Sequence, residues 1–211
     1  MKFNLTRTAG LAAAVAVLAG GGLATAAVAS TTNHASAAVA NAQAAVPALK
    51  PAQVNYVEKS WGDPKTDVGV ITLTPKGWNM VRLSTFESKF TSSNKLWNLR
   101  VYGNTAATPM NKAVAAKLKA LHAVKGFKLI SQTNGSVKAT SRYMEGETYT
   151  FTTIVYTYKD GARGTRLVVE RIVSTYANTQ EFELAAGGRT QDRAGLEAVA
   201  NAATRDYVRL P

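Results

Sequence analysis

Residues 148–174 read TYTFTTIVYTY, then KDGARG, then TRLVVERIVS. The run 148–158 is dense in β-branched and aromatic residues, the side chains that pack best on a pleated surface. Lys159-Asp160-Gly161-Ala162 supplies a turn, and 165–174 returns as a second strand. A long antiparallel hairpin is expected, and the remaining elements are read outward from it.

Downstream, 180–186 (QEFELAA) reads as a third strand, and Gly187-Gly188 is expected to break it. A closing helix begins near Thr190, with Asp192 placed well for the helix dipole. Leu196, Val199, Ala200, Ala203 and Tyr207 line its apolar face. Upstream, Asn134-Gly135 is a tight-turn signal, preceded by a strand at 127–131 (FKLIS). Thr108-Pro109 predicts a helix start, with Thr108 as cap and Pro109 at the first helical position. Met110, Val114, Leu118 and Leu121 form the stripe of that helix, and Gly126 follows its end. Further back, 68–74 alternates as a strand until Pro75-Lys76-Gly77-Trp78 stops it. The run 95–102 (KLWNLRVY) reads as another strand, while 84–90 is ambiguous between strand and mobile flap. Strands and helices are segregated. That order predicts an α+β domain over 61–211, with a central, mainly antiparallel sheet flanked by helices.

The chain has 211 residues and a formal net charge of +12. Cysteine is absent, which excludes disulfides, thiolate metal sites and cysteine nucleophiles. With two histidines, no His-rich metal site is expected, and neither a metal nor a cofactor is assigned. Lys2 and Arg7, an apolar run from Leu11 to Leu18 and small residues beyond give the pattern of a secretory signal peptide, 1–37. Cleavage is expected after Ala26 or after Ala37. The four glycines and many alanines of this segment argue against a permanent anchor. Residues 38–60 read as a low-complexity linker.

Signals for bond-making chemistry are weak. His122 sits at the edge of the apolar stripe and reads as a partly buried structural histidine. Ser92-Ser93-Asn94-Lys95 matches S-x-x-K, without the companion motifs that give that match meaning. Glu145 and Glu147 have the residue type of a glycosidase acid pair. So short a spacing on a Gly-containing segment reads as a solvated loop, and the same holds for Asp63 and Asp67. Gly187-Gly188-Arg189-Thr190 is too short to cradle phosphate. No catalytic residue is assigned, and an envelope hydrolase is the least favoured reading.

Binding signals are stronger. Lys112, Lys117, Lys119, Lys125 and Lys128 cluster on or just after the first helix and read as a basic surface for anionic lipid heads or envelope polymers. Arg163, Arg166 and Arg171 add charge in the hairpin. Attraction to anionic surfaces is expected to be weak and general. Nucleic acid would respond to the same charge, but export removes it as a partner. Trp78, Phe86, Phe90 and Trp97 lie close together in sequence and are the candidates for lining a ligand or partner groove.

Four features in order carry a resemblance to a known family. Leu73-Thr74-Pro75-Lys76-Gly77-Trp78 resembles the Pro-x-Gly-Trp step after the first strand of actinobacterial LpqN/LpqT-type proteins. Residues 156–170 are similar to their central hairpin. The helix followed by Gly126-Phe127 and the closing amphipathic helix fit the same layout, so the resemblance spans about 68–208. It implies a fold like that of the photosystem accessory PsbP proteins and a location in the cell envelope. It also implies a noncatalytic binding or accessory role, with an envelope lipid, a glycolipid or a membrane protein as partner. The alternative is a purely structural subunit of an envelope complex. Members usually carry a cysteine at the end of the signal peptide. This chain has none, so a secreted protein without a lipid anchor is expected.

Overall fold

The computed structural model describes residues 46–103, 107–175 and 178–210. Its strands are β1 (Tyr56–Gly62), β2 (Gly69–Pro75), β3 (Asn79–Arg82), β4 (Glu87–Thr91), β5 (Asn98–Tyr102) and β6 (Thr108–Pro109). Helix α1 (Met110–His122) follows, then β7 (Lys128–Lys138), β8 (Thr148–Lys159), β9 (Thr165–Ser174), β10 (Thr179–Gln180) and β11 (Phe182–Arg189). Helix α2 (Arg193–Arg205) and β12 (Val208–Leu210) close the chain.

The expected hairpin is β8–β9, paired from Thr150–Ser174 to Lys159–Thr165. It lies inside a seven-stranded sheet of order β3-β4-β5-β11-β9-β8-β7, antiparallel at every pairing. A second, three-stranded antiparallel sheet has the order β1-β2-β12. The α+β class read from the sequence therefore holds.

Alternation along β9 divides the layers. Val168 and Ile172 face α1, where Met110, Val114, Leu121, Ile154 and Tyr156 close one core. Leu167, Val169 and Val173 face the other way, into a larger core with Leu196, Val199 and Ala203 of α2 and with Trp61 and Val70 of the small sheet. Each fully buried Val, Leu or Ile contributes about 1.5–3 kcal/mol, so two such cores sandwich the big sheet firmly. Phe182 of β11 stacks on Tyr207, just past α2, at 3.6 Å, and Thr72 of β2 donates to the Ala203 carbonyl at 2.7 Å, tying the small sheet to α2 through the second contact.

Several expectations are corrected. Asn134-Gly135 makes no turn: both lie within β7, opposite Thr152 and Phe151. The Gly187-Gly188 pair continues β11 to Arg189. Thr108 does not cap α1; it pairs with Gln180 in a two-residue ladder, and the helix starts at Met110 after Pro109. Residues 84–90 resolve into the approach to β4 and most of that strand. Folded structure begins before residue 61, because Leu49 is buried and β1 starts at Tyr56, so a linker reaching residue 60 is ruled out. The remainder of that linker, 38–45, and the signal peptide, 1–37, lie outside the described residues. Among the described residues no helix is long and apolar enough to cross a membrane.

Candidate functional site

The four aromatic candidates separate. Phe90 is 1% exposed and packs edge-on against Trp61 at 5.6 Å, so it is core and lines no groove. Phe86 packs against the same core, with the Arg209 guanidinium 4.9 Å from its ring centre. Trp78 and Trp97 come together. They are half-buried and line one cleft of about 210 Å³ with Leu49, Val54, Pro75 and Lys76.

Local chemistry explains that meeting. Gly77, at φ +82°, makes the turn after β2 that no larger residue enters without strain, and it delivers Trp78 to the cleft. Trp97 is held from the other side: its backbone N–H donates to Ser92 Oγ at 3.0 Å, while that hydroxyl donates to Asn94 Oδ1 at 2.7 Å. Ser92 of the S-x-x-K match therefore serves a turn. The third wall is the chain entering the fold. Arg189 donates to the Val46 and Pro47 carbonyls at 2.8 and 2.9 Å, and the Leu49 N–H donates to Asp192 at 2.9 Å.

Asp192 is fully buried and fastens this strap. It takes Arg189 Nε and Nη2 on its two oxygens, both at 2.9 Å, and the Arg189 N–H at 2.8 Å. Burial alone would raise its pKa; the hydrogen bonds from the Arg189 side chain and from the Leu49 and Arg189 amides outweigh burial and hold it below the usual carboxylate range.

Among the lysines, Lys112, Lys119, Lys125 and Lys128 are exposed. Lys117 is not free. Its Nζ lies 2.9 Å from Glu170 and 2.6 Å from Glu183, between α1 and the sheet. Burial pushes the Glu183 carboxyl up to about 7; the Glu170 charge adds to this, and Lys117 opposes it. His122 is exposed beside the Phe127 ring, rather than partly buried. Glu145 is exposed and Glu147 half-buried in the loop before β8.

A cationic cluster on the α1 side of the sheet escaped sequence reading. Cross-strand pairing puts Lys89 beside Arg100, on the same face as Glu170. Arg166, four residues before Glu170 on β9, shares that face. Arg166 is 2% exposed, yet its Nη1 and Nη2 have no hydrogen-bond partner among the described residues. The available signal was a charged residue inside an apolar strand, Arg166 in TRLVVERIVS; Lys89 and Arg100 gain meaning only through register.

No family model and no curated protein matches the chain. Among solved structures it is similar to LpqN of Mycobacterium tuberculosis, described as involved in cell envelope biogenesis. That likeness has 14% identity and a TM-score of 0.44, covering 79% of this chain and 100% of that one. The chain is also similar to the cyanobacterial PsbP of Synechocystis, with 14% identity and a TM-score of 0.42, covering 72% of this chain and 92% of that one. A third is the Ran-binding protein Mog1p of Saccharomyces cerevisiae, with 8% identity and a TM-score of 0.42, covering 73% and 96%. At these identities the likenesses give no residue a role.

Proposed function

We propose that this chain is a noncatalytic, secreted binding protein of the cell envelope that engages a lipid or glycolipid at the Trp78–Trp97 cleft. The observation that supports the reading is the pairing of two half-buried indoles around an open cleft of mixed lining, Leu49, Val54 and Pro75 beside the polar Gln53, Asn55 and Lys76. Indole combines a large apolar body with a polar N–H, which suits it to the boundary between acyl chain and headgroup. Size limits what enters. Sites that enclose a drug-sized ligand run to ~300–1,000 Å³. A cleft of about 210 Å³ takes one ring or the end of one chain, and the rest of the ligand stays outside.

Native mass spectrometry of the protein purified from envelope and culture fluid tests this. A co-purifying lipid mass in the parent protein, lost in Trp78→Ala and Trp97→Ala variants of unchanged melting temperature, is the expected result. A lipid-free parent protein refutes it.

A membrane-protein partner is the second reading, and it draws on β7. This eleven-residue strand is an edge of the large sheet, with Leu129 and Ile130 exposed beside a register shift. An open edge offers backbone groups to an incoming strand. Protein rather than lipid co-purifying from the same extracts favours it.

A further inference from the structure

A basic and aliphatic face lies where α1 leads into β7. Lys125, Lys128, Leu129 and Ile130 fall within six residues, and all four are exposed. Leu129 and Ile130 keep 41% and 43% of their surface in water. Neighbours in a regular strand point to opposite faces, so one of the two would be covered. The pairing of β7 with β8 slips between Leu129 and Ser131, which leaves Ile130 without a partner on β8. The bulge breaks the alternation, and both aliphatic side chains end in solvent.

The face is anchored, and its charge has one sign. The Lys159 N–H donates to the Lys125 carbonyl at 3.0 Å, so Lys159, also exposed, joins the face from the end of β8. The Phe127 ring packs on His122 and Tyr156 at 5.0 and 5.6 Å, which holds the loop between Lys125 and Lys128 against the sheet. Lys119 sits in the last turn of α1, where a positive charge suits the helix dipole. That explanation does not reach Lys125, Lys128 and Lys159, which lie beyond the helix. No Asp or Glu occurs between Glu87 and Glu145. Among the described residues Lys119, Lys125, Lys128 and Lys159 form no ion pair. Asp160, next to Lys159 in sequence, is paired with Arg163 at 2.6 Å.

We propose that this face docks on a bilayer containing anionic phospholipid, with Leu129 and Ile130 entering the headgroup region between the lysines. Two aliphatic side chains framed by ammonium groups match the layering of such a surface, phosphates outside and acyl carbons beneath. Lysine stems are apolar, so each ammonium stays with the phosphates while its stem follows the aliphatic pair inward. Neither signal suffices alone: the aliphatic pair covers little area, and charge alone is screened and general. Stable attachment takes the two together. A strand-adding protein is the competing occupant of this edge; it would use the β7 backbone rather than these side chains. The face lies at the β7 edge of the large sheet, whereas Trp78 and Trp97 precede β3 and β5 toward its other edge, so the proposal stands independently of the lipid cleft.

The chain has no cysteine, so Ile130→Cys takes a single environment-sensitive fluorophore. The purified protein is sedimented with vesicles of phosphatidylcholine alone, or of phosphatidylcholine and phosphatidylglycerol in equal parts. It is expected to pellet with the mixed vesicles and to stay in solution with the neutral ones. The label at residue 130 is expected to brighten and shift to the blue on the mixed vesicles. The same label placed by Lys112→Cys, exposed at the start of α1, is expected to respond far less. Lys125→Gln combined with Lys128→Gln should weaken partitioning about 25-fold, near five-fold for each lysine. Leu129→Ser combined with Ile130→Ser should weaken it about ten-fold. All four positions are exposed, and an unchanged melting temperature checks that the variants fold. No preference for the mixed vesicles overturns the proposal. Binding that survives Leu129→Ser with Ile130→Ser unchanged, or an equal response at the two labels, leaves only net charge at work and overturns it as well.

Discussion

Gly135 and Phe151 face each other across β7 and β8, and the ring of Phe151 occupies the space a side chain on Gly135 would need. A Cβ built there would lie 2.7 Å from Cε2 and 2.9 Å from Cζ of the ring. The ring cannot easily retreat, because the Arg171 guanidinium sits 4.1 Å from its centre. Arg171 is itself held by Thr153, Thr204 and Asn201, the last at 2.6 Å. Alanine in place of glycine gains ~0.4–1 kcal/mol through the unfolded chain. Overpacking costs about 1–3 kcal/mol. The second effect wins, and Gly135→Ala is expected to destabilise by roughly 1–2 kcal/mol in a urea titration. A gain in stability would show that Phe151 is not pinned.

Asp192 gives a sharper expectation. Asp192→Asn keeps the shape but leaves Arg189, 9% exposed, without its anion. Breaking a buried pair from one side costs about 3–5 kcal/mol. The folded-state pKa of Asp192 lies below its unfolded value, so its contribution is complete above the unfolded value, about 3.9. It disappears as pH falls through the folded value. Parent and variant should differ by a constant amount above about pH 5, and their unfolding midpoints should converge in stronger acid. A gap that survives acidification would refute the assignment.

Glu183 has the opposite sign. Its folded carboxyl holds a proton up to about 7, while the unfolded chain releases it near 4.3. Between those values the folded state binds more protons, so this group lowers stability as pH rises. Glu183→Gln removes that slope and leaves Lys117 its bond to Glu170 at 2.9 Å. From pH 4 to 8 the variant is expected to gain on the parent by up to about 4 kcal/mol, the full interval between 4.3 and about 7 at 1.36 kcal/mol per unit. Parallel melting curves across that range would count against a raised pKa.

The large elements were legible because one period dominated each of them. The run 148–158 has the β-branched and aromatic composition of a strand and forms one, and the stripe Met110, Val114, Leu118, Leu121 is the buried side of α1. Legibility failed where tertiary pairing overrode a local signal. Asn134-Gly135 prefers a tight turn in isolation, but ten pairings with β8 keep β7 extended through it. Gly187 sits in a strand because Asn98 leans into the place of its missing side chain, 2.9 Å from where a Cβ would be. The Trp78–Trp97 cleft was half readable. Both indoles were visible as candidates, but Trp78, Phe86 and Trp97 all lie just outside strands and only Phe90 lies within one, so no local period sorts them. Lys117 looked like its neighbours until Glu170 and Glu183, 53 and 66 residues away, closed on it.

The entry strap offers a test in which local and global stability part company. Gly195 lies in the first turn of α2 directly under Leu49, and a Cβ there would fall 2.4 Å from the Leu49 carbonyl oxygen. That neighbour is backbone, held by the Leu49 amide bond to Asp192, so it cannot swing aside as a side chain would. Within the helix itself, alanine is favoured over glycine by ~0.8–1.0 kcal/mol. Gly195→Ala should therefore keep α2 and displace the strap. The melting temperature should change little, while limited proteolysis cuts faster between residues 46 and 54. Because Leu49 and Val54 are walls of the Trp78–Trp97 cleft, Trp emission should shift to the red at the same time. Protection and emission equal to the parent protein would mean that the strap tolerates the methyl group, and that the contact at Gly195 does not hold the cleft in shape.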